Sequence, residues 1–193
     1  MLDNLKGKRV ILASGSPRRR QLLGGLEIDF TVRLINGIDE TYPDGMAMAE
    51  IPKYISRRKA EAYVPTMASD EIIITADTIV WADGEVLGKP HTPDEAVSML
   101  RRLSGRTHQV VTGVTVLSAD RRETFACVTD VTFDTLSEAE MQHYVADYKP
   151  LDKAGAYGIQ EYIGYIGVTG ISGSYFNVMG LPVQKLYRVL LTF

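Results

Sequence analysis

The chain has one cysteine, one tryptophan and three histidines among 193 residues. A lone thiol rules out an internal disulfide; Cys127 lies in the strand-like run Phe125 to Phe133 and reads as a buried structural group rather than a nucleophile. His108 has no His or Cys at ligand spacing, so neither a zinc centre nor a Ser/His/Asp triad has support. Excess positive charge is also missing. The net charge is −3 and the pI about 5.6, which argues against nucleic acid or a membrane surface as partner. No apolar run approaches the roughly 20 residues of a membrane span, and Asp3, Lys6, Lys8 and Arg9 before a very short apolar stretch do not read as a signal peptide. A cytoplasmic protein is the expectation. Repeats, low-complexity linkers and a clean domain boundary are absent too, and 45% hydrophobic with 23% charged residues suits one globular domain, residues 1–193.

What is present concentrates first at Ser14-Gly15-Ser16-Pro17-Arg18-Arg19-Arg20. Val10 to Ala13 reads as a short buried strand, Ser16 as a helix N-cap and Pro17 as the first helical residue, where a missing N–H costs nothing. Such a terminus carries partial positive charge; Ser14 and Ser16 add hydroxyls and the arginines add forked donors suited to phosphate oxygens. Three arginines on a first turn can equally be a solvated face. Against that, cations repel the positive end of a helix dipole unless an anion offsets the field.

Strand and helix signals alternate along the chain, the pattern of an α/β protein. A strand is expected at Ile28 to Val32, then an acidic loop, Asn36 to Gly45, with Asp39, Glu40 and Asp44, and a helix from Ala47 to about Tyr63 with Pro52 near its first turn. Ile72 to Ala76 reads as a buried strand ending at Asp77-Thr78, followed by a hairpin from Ile79 to Leu87 that turns at Asp83-Gly84. Thr92 opens a helix that Gly105 ends; His108 to Leu117 and Phe125 to Phe133 form an antiparallel hairpin; Ser137 and Glu140 make a capping box for a helix to about Tyr148. Lys153 to Gly180 reads as largely irregular, before an amphipathic helix from Pro182 to Leu191.

Asp77, expected at the end of a buried strand, sits where α/β sheets place catalytic or metal-binding carboxylates, though strand-ending aspartates also cap their own turns. Asp39 and Glu40 offer partner carboxylates for a hard divalent ion, or simply a charged loop. Gly84 to Pro90 is not a Walker A loop, because its glycines are too close and proline follows Lys89; Lys89 can reach a phosphate or be a surface lysine, and Lys59 shares that ambiguity.

Taken together, Ser14-Gly15-Ser16-Pro17-Arg18-Arg19, Asp39-Glu40, Arg58-Lys59-Ala60, Ala76-Asp77-Thr78-Ile79-Val80, Gly88-Lys89-Pro90, Leu103-Ser104-Gly105 with His108, Thr112-Gly113-Val114 and Asp152 to Gln160 resemble, in order and across nearly the whole chain, the Maf family of nucleoside triphosphate pyrophosphatases. The Ala154 to Gln160 segment is similar to the branch that cleaves dTTP and UTP rather than 7-methyl-GTP. The resemblance implies a bilobed, elongated mixed sheet flanked by helices, akin to inosine triphosphate pyrophosphatases, with the nucleotide in a central cleft. It implies a divalent cation, Mg²⁺ or Mn²⁺, held by Glu40 and Asp77; Asp77 as the base that activates water; Ser14, Arg18, Arg19, Lys59 and Lys89 on the triphosphate; and Arg18, Thr78 and Gln160 in substrate choice. Gln160 has both donor and acceptor for a pyrimidine edge. Two departures from the expected family pattern stand out: Arg20 lengthens the arginine pair, and Glu161 stands where the resemblance leads one to expect glycine. Alternatives are a pyrophosphatase for modified purine nucleotides and a nucleotide-sensing septum or division regulator that does not hydrolyse. Tyr162 to Tyr175 suits either a homodimer surface or an ordinary core.

Overall fold

A computed structural model describes residues 2–193. In chain order it contains β1 (Arg9–Leu12), α1 (Pro17–Gly24), β2 (Phe30–Val32), α2 (Glu50–Glu61), β3 (Glu71–Ala82), β4 (Glu85–Leu87), α3 (Pro93–Leu103), β5 (Thr107–Leu117), β6 (Arg122–Phe133), α4 (Glu138–Tyr148), α5 (Tyr162–Gly167), β7 (Val168–Ser172), α6 (Tyr175–Met179) and α7 (Val183–Leu190). One mixed sheet runs in the order β2-β1-β3-β5-β6-β7, with β4 paired to β3. β1 is parallel to β2 and β3, while β4 runs antiparallel to β3 and β7 antiparallel to β6. Among the described residues no helix is long and apolar enough to cross a membrane.

The chain divides into two compact units, the first comprising residues up to 77, 112–127 and 180–193, the second 78–111 and 128–179. In the first, β1 and β3 contribute near-continuous apolar runs, and Ile72, Ile73 and Ile74 are wholly buried, as parallel strands covered on both faces require. Ile11, Ala60, Tyr63, Ile73 and Leu117 form one core cluster that seats α2 on the sheet. The helix approaches so closely that a Cβ on Gly113 of β5 would lie 2.3 Å from the carbonyl carbon of Pro52. Buried hydrogen bonds fix the register: Thr75 Oγ1 donates to the Ser56 carbonyl at 2.7 Å, and the Ser56 and Thr115 hydroxyls meet at 3.0 Å. In the second unit, His108, Phe133 and Tyr157 meet edge to face. Asn177 Nδ2 donates to the Val110 carbonyl and to Thr129 Oγ1, each at 3.0 Å.

Three expectations are corrected. β3 does not stop at Asp77-Thr78 but continues unbroken to Ala82; Thr78 is β-branched, the Asp77 carboxylate finds a side-chain partner (below), and the turn falls at Asp83-Gly84, both with positive φ. The 153–180 stretch is more regular than its glycines suggest, holding α5, β7 and α6. Within it Ile163 is core while Tyr165 is 83% exposed. Cys127 is only partly buried; burial pushes its thiol upward in pKa, against the pull of Lys185.

Candidate active site

The turn after β1 builds the anion-facing feature from local rules. Ser16 caps α1 by accepting from the Arg19 N–H, and Pro17 occupies the first helical position. Ser14 Oγ, largely buried, accepts from the Ser16 N–H and from Arg19 Nη1, both at 3.3 Å, which leaves its own proton to donate. The three arginines are not equivalent. Arg19 turns inward: Nε donates to the Gly180 carbonyl at 2.8 Å and Nη1 to the Ala76 carbonyl at 2.9 Å. Desolvation lowers its pKa, and the charge of Asp77 opposes that shift. Arg18 is partly exposed and Arg20 exposed.

Next to Ala76, a second cluster forms around Lys59, in the last turn of α2. Its Nζ lies 2.9 Å from Asp77 Oδ1 and 3.1 Å from Glu40 Oε1. Asp77 and Lys59 side chains are 13% and 14% exposed, Glu40 51%, so an inner pair faces one outer carboxylate. Tyr63 roots the segment leading to Glu40, donating to the Arg33 carbonyl at 2.7 Å and accepting from the Ile35 N–H at 3.1 Å. Asp39, the other candidate acid, turns away: Thr41 donates to both its oxygens and Arg58 Nη1 to Oδ2. The Thr41 backbone N–H, first among these, holds the Asp39 carboxyl below its ordinary pKa.

Lys59 engages one oxygen of each carboxylate, and no side chain among the described residues hydrogen-bonds Asp77 Oδ2 or Glu40 Oε2. Two hard oxygen donors fit Mg²⁺ or Mn²⁺. No group of three or more His, Cys, Asp or Glu assembles among the described residues, so a cation held here would draw its remaining ligands from water and phosphate oxygens.

The remaining sequence-derived positions lie in the second unit. Thr78 is a partly buried residue of β3. Lys89 is exposed after β4, while the preceding Gly88 carbonyl accepts from the Gly155 N–H at 3.0 Å. Gln160 is only partly exposed, yet its Oε1 is buried with no hydrogen-bond partner. His108 is a core residue: Nε2 meets Tyr157 Oη at 2.7 Å, and desolvation lowers its pKa to about 4, so it is neutral near pH 7. Tyr144 and Lys153, both buried beside the Gln160 segment, escaped sequence reasoning; the signal for Tyr144 was its place in the buried stripe of α4 with Met141 and Val145.

Residues 9–193 match the Maf family, described as Maf-like protein. A protein of Phocaeicola vulgatus named dTTP/UTP pyrophosphatase is 60% identical over 190 residues, 98% of each chain. Relatives of the same name from Parabacteroides distasonis and Porphyromonas gingivalis are 58% and 50% identical, each alignment covering 98% of the relative and 98% and 100% of this chain. Among solved structures, a HAM1 protein from Coxiella burnetii shares the fold with a TM-score of 0.51 at 12% identity, covering 96% of this chain and all of that one.

Proposed function

Because this chain belongs to the Maf family of Maf-like proteins, we propose that it hydrolyses dTTP and UTP at the α–β phosphoanhydride, giving the nucleoside monophosphate and pyrophosphate. The observation that carries this reading is the meeting of Asp77, Lys59 and Glu40 beside the Ser14–Arg19 turn, two carboxylates and fixed cations around a helix N-terminus. Phosphoryl transfer demands positioning and charge neutralisation more than covalent chemistry, and this cluster supplies both.

In this reading Asp77 is the base. Its carboxylate, held in place by Lys59, takes a proton from water as the water oxygen bonds to the α-phosphorus; the bond to the bridging oxygen breaks and its electrons leave on pyrophosphate. Lys59 holds the aspartate in place and neutralises charge. Ser14 donates its spare proton to a phosphate oxygen; Arg18, Arg19 and Lys89 are further phosphate contacts, as the family motifs imply. A divalent cation bound through Glu40 and Asp77 would supply Lewis-acid stabilisation of the phosphate charge. Arg18, Thr78 and Gln160 select the base. The orphaned Gln160 Oε1 is an acceptor that the N3–H of uracil or thymine would satisfy.

A cytoplasmic location belongs to the same proposal, supported by its nucleotide substrates and lone cysteine. So does a homodimer through the exposed Tyr165, Ile171 and Tyr175, which sedimentation velocity checks. The reaction is tested by pyrophosphate release from dTTP, UTP, CTP, dATP, GTP and 7-methyl-GTP with Mg²⁺ or Mn²⁺, beside Asp77→Asn. Cleavage of dTTP and UTP, lost in the variant, is the expected result. Tight binding of dTTP without pyrophosphate release would replace the enzyme with a sensor.

A further inference from the structure

Gln160 sits in the turn Gly158-Ile159-Gln160-Glu161, closed by the Glu161 N–H donating to the Gly158 carbonyl at 2.9 Å. Both ends of that turn reach one atom. The Gly158 N–H donates to Tyr144 Oη at 3.0 Å, and the same hydroxyl donates to Glu161 Oε2. Glu161 Oε1 takes Lys153 Nζ at 3.2 Å, and Lys153 is itself buried. The Glu161 carbonyl accepts from the Gly164 N–H at 2.8 Å, tying the turn to the first residues of α5. Tyr144 is wholly buried and stacks on Tyr148 with ring centres 5.1 Å apart, so the hydroxyl has little freedom to wander.

We infer that Tyr144 and Glu161 are positioning residues for base selection, stapling the turn so that the Gln160 side chain is presented to the pyrimidine from one fixed place. This rests on the reading of Gln160 as the base contact. The need for such a staple follows from amide chemistry. Uracil and thymine offer an N3–H donor beside the O4 acceptor, and cytosine offers the reverse. A glutamine can present either order by turning its terminal amide through half a turn. Discrimination therefore depends on the amide staying where its surroundings favour one order, and a turn held in one place keeps it there. Here Glu161 becomes part of the specificity apparatus.

The test measures kcat/KM for dTTP and dCTP in wild type, Gln160→Ala, Tyr144→Phe, Glu161→Ala, Glu161→Gln and the double variant Tyr144→Phe/Gln160→Ala, with melting temperatures alongside. Tyr144→Phe keeps the ring and removes only the staple. It is expected to lower the dTTP/dCTP ratio by about 10-fold, chiefly through a higher KM for dTTP. Glu161→Ala is expected to do the same, while Glu161→Gln, which still accepts from Tyr144, stays within about 3-fold of wild type. In the Gln160→Ala background, Tyr144→Phe is expected to change the ratio no further. A merely structural role would depress both nucleotides alike and leave the ratio untouched. If Gln160→Ala collapses the ratio but Tyr144→Phe and Glu161→Ala do not, the staple is refuted and the base reading stands. If Gln160→Ala itself leaves the ratio unchanged, the base reading fails and the inference with it.

Discussion

Gly113→Ala adds one methyl group where α2 lies against β5. The new carbon would stand 2.3 Å from the Pro52 carbonyl carbon, 2.4 Å from the Pro52 oxygen and 2.4 Å from the Lys53 nitrogen. All three are backbone atoms in the first turn of the helix, so no rotamer change relieves the contact. Restoring van der Waals distance demands a retreat of about 1 Å by helix or strand. Further along the same helix, the Thr75–Ser56 bond is 2.7 Å and the Lys59–Asp77 bond 2.9 Å; lengthened by about 1 Å, neither is a hydrogen bond. Overpacking costs about 1–3 kcal/mol and a lost buried hydrogen bond about 1 kcal/mol more, so about 3 kcal/mol is expected in total. At roughly 2–4 °C per kcal/mol for a chain of this size, the melting temperature falls by about 6–12 °C. Urea unfolding at pH 7 reads the first quantity, differential scanning calorimetry the second, and kcat for dTTP falls in parallel as Lys59 leaves Asp77. A variant that melts within about 2 °C of wild type with unchanged kcat would refute the backbone contact and the helix placement drawn from it.

Lys59→Met removes the cation shared by Asp77 and Glu40; kcat for dTTP is expected to drop about 10²-fold in steady-state assays, and an unaltered kcat would reduce Lys59 to a packing residue. His108 has its pKa lowered from 6.5 to about 4 in the folded chain, so as pH falls below 6.5 the unfolded chain takes up the proton first and stability declines until about pH 4. A gap of that size is worth about 3 kcal/mol. Urea midpoints at pH 7 and 4.5 should therefore lie closer together in His108→Gln than in wild type, and equal spacing would contradict the buried neutral imidazole. EDTA should stop pyrophosphate release, with recovery on adding Mg²⁺ or Mn²⁺. It should leave the nucleotide-free melting temperature unmoved, since no cluster of three or more metal-binding side chains forms among the described residues.

Local chemistry made much of this readable in advance. Ser16 and Pro17 announce a helix start, and the cap forms as expected. The Ser137–Glu140 capping box and the Asp83-Gly84 turn follow from the same kind of short-range rule. Collinear motifs pointed to the Maf family, which the family match bears out. What stayed hidden depends on partners distant in sequence. Nothing in Asp39-Glu40 reveals that Arg58 and Thr41 claim the first acid and Lys59 the second. Arg18, Arg19 and Arg20 look alike until the carbonyls of Ala76 and Gly180 draw Arg19 inward. The aspartate in β3 looked like a strand end because it follows an apolar run, and the lysine that offsets the cost of burying its charge sits 18 positions earlier. β7 was obscured by Gly170 and Gly173, although its pairing with β6 supplies the ladder that its own propensity does not.

Gly158 has a consequence for anyone evolving this protein towards another nucleotide. A Cβ there would lie 2.8 Å from Glu161 Cδ, and because that carboxylate ends a flexible side chain, alanine would evict it from Tyr144 rather than break the backbone. The two positions are therefore epistatic, and the order of mutation matters. Alanine at 158 is harmful while glutamate remains at 161, and becomes nearly silent once 161 is small. A library that randomises 158 alone will return glycine and miss every route that opens only after 161 has changed.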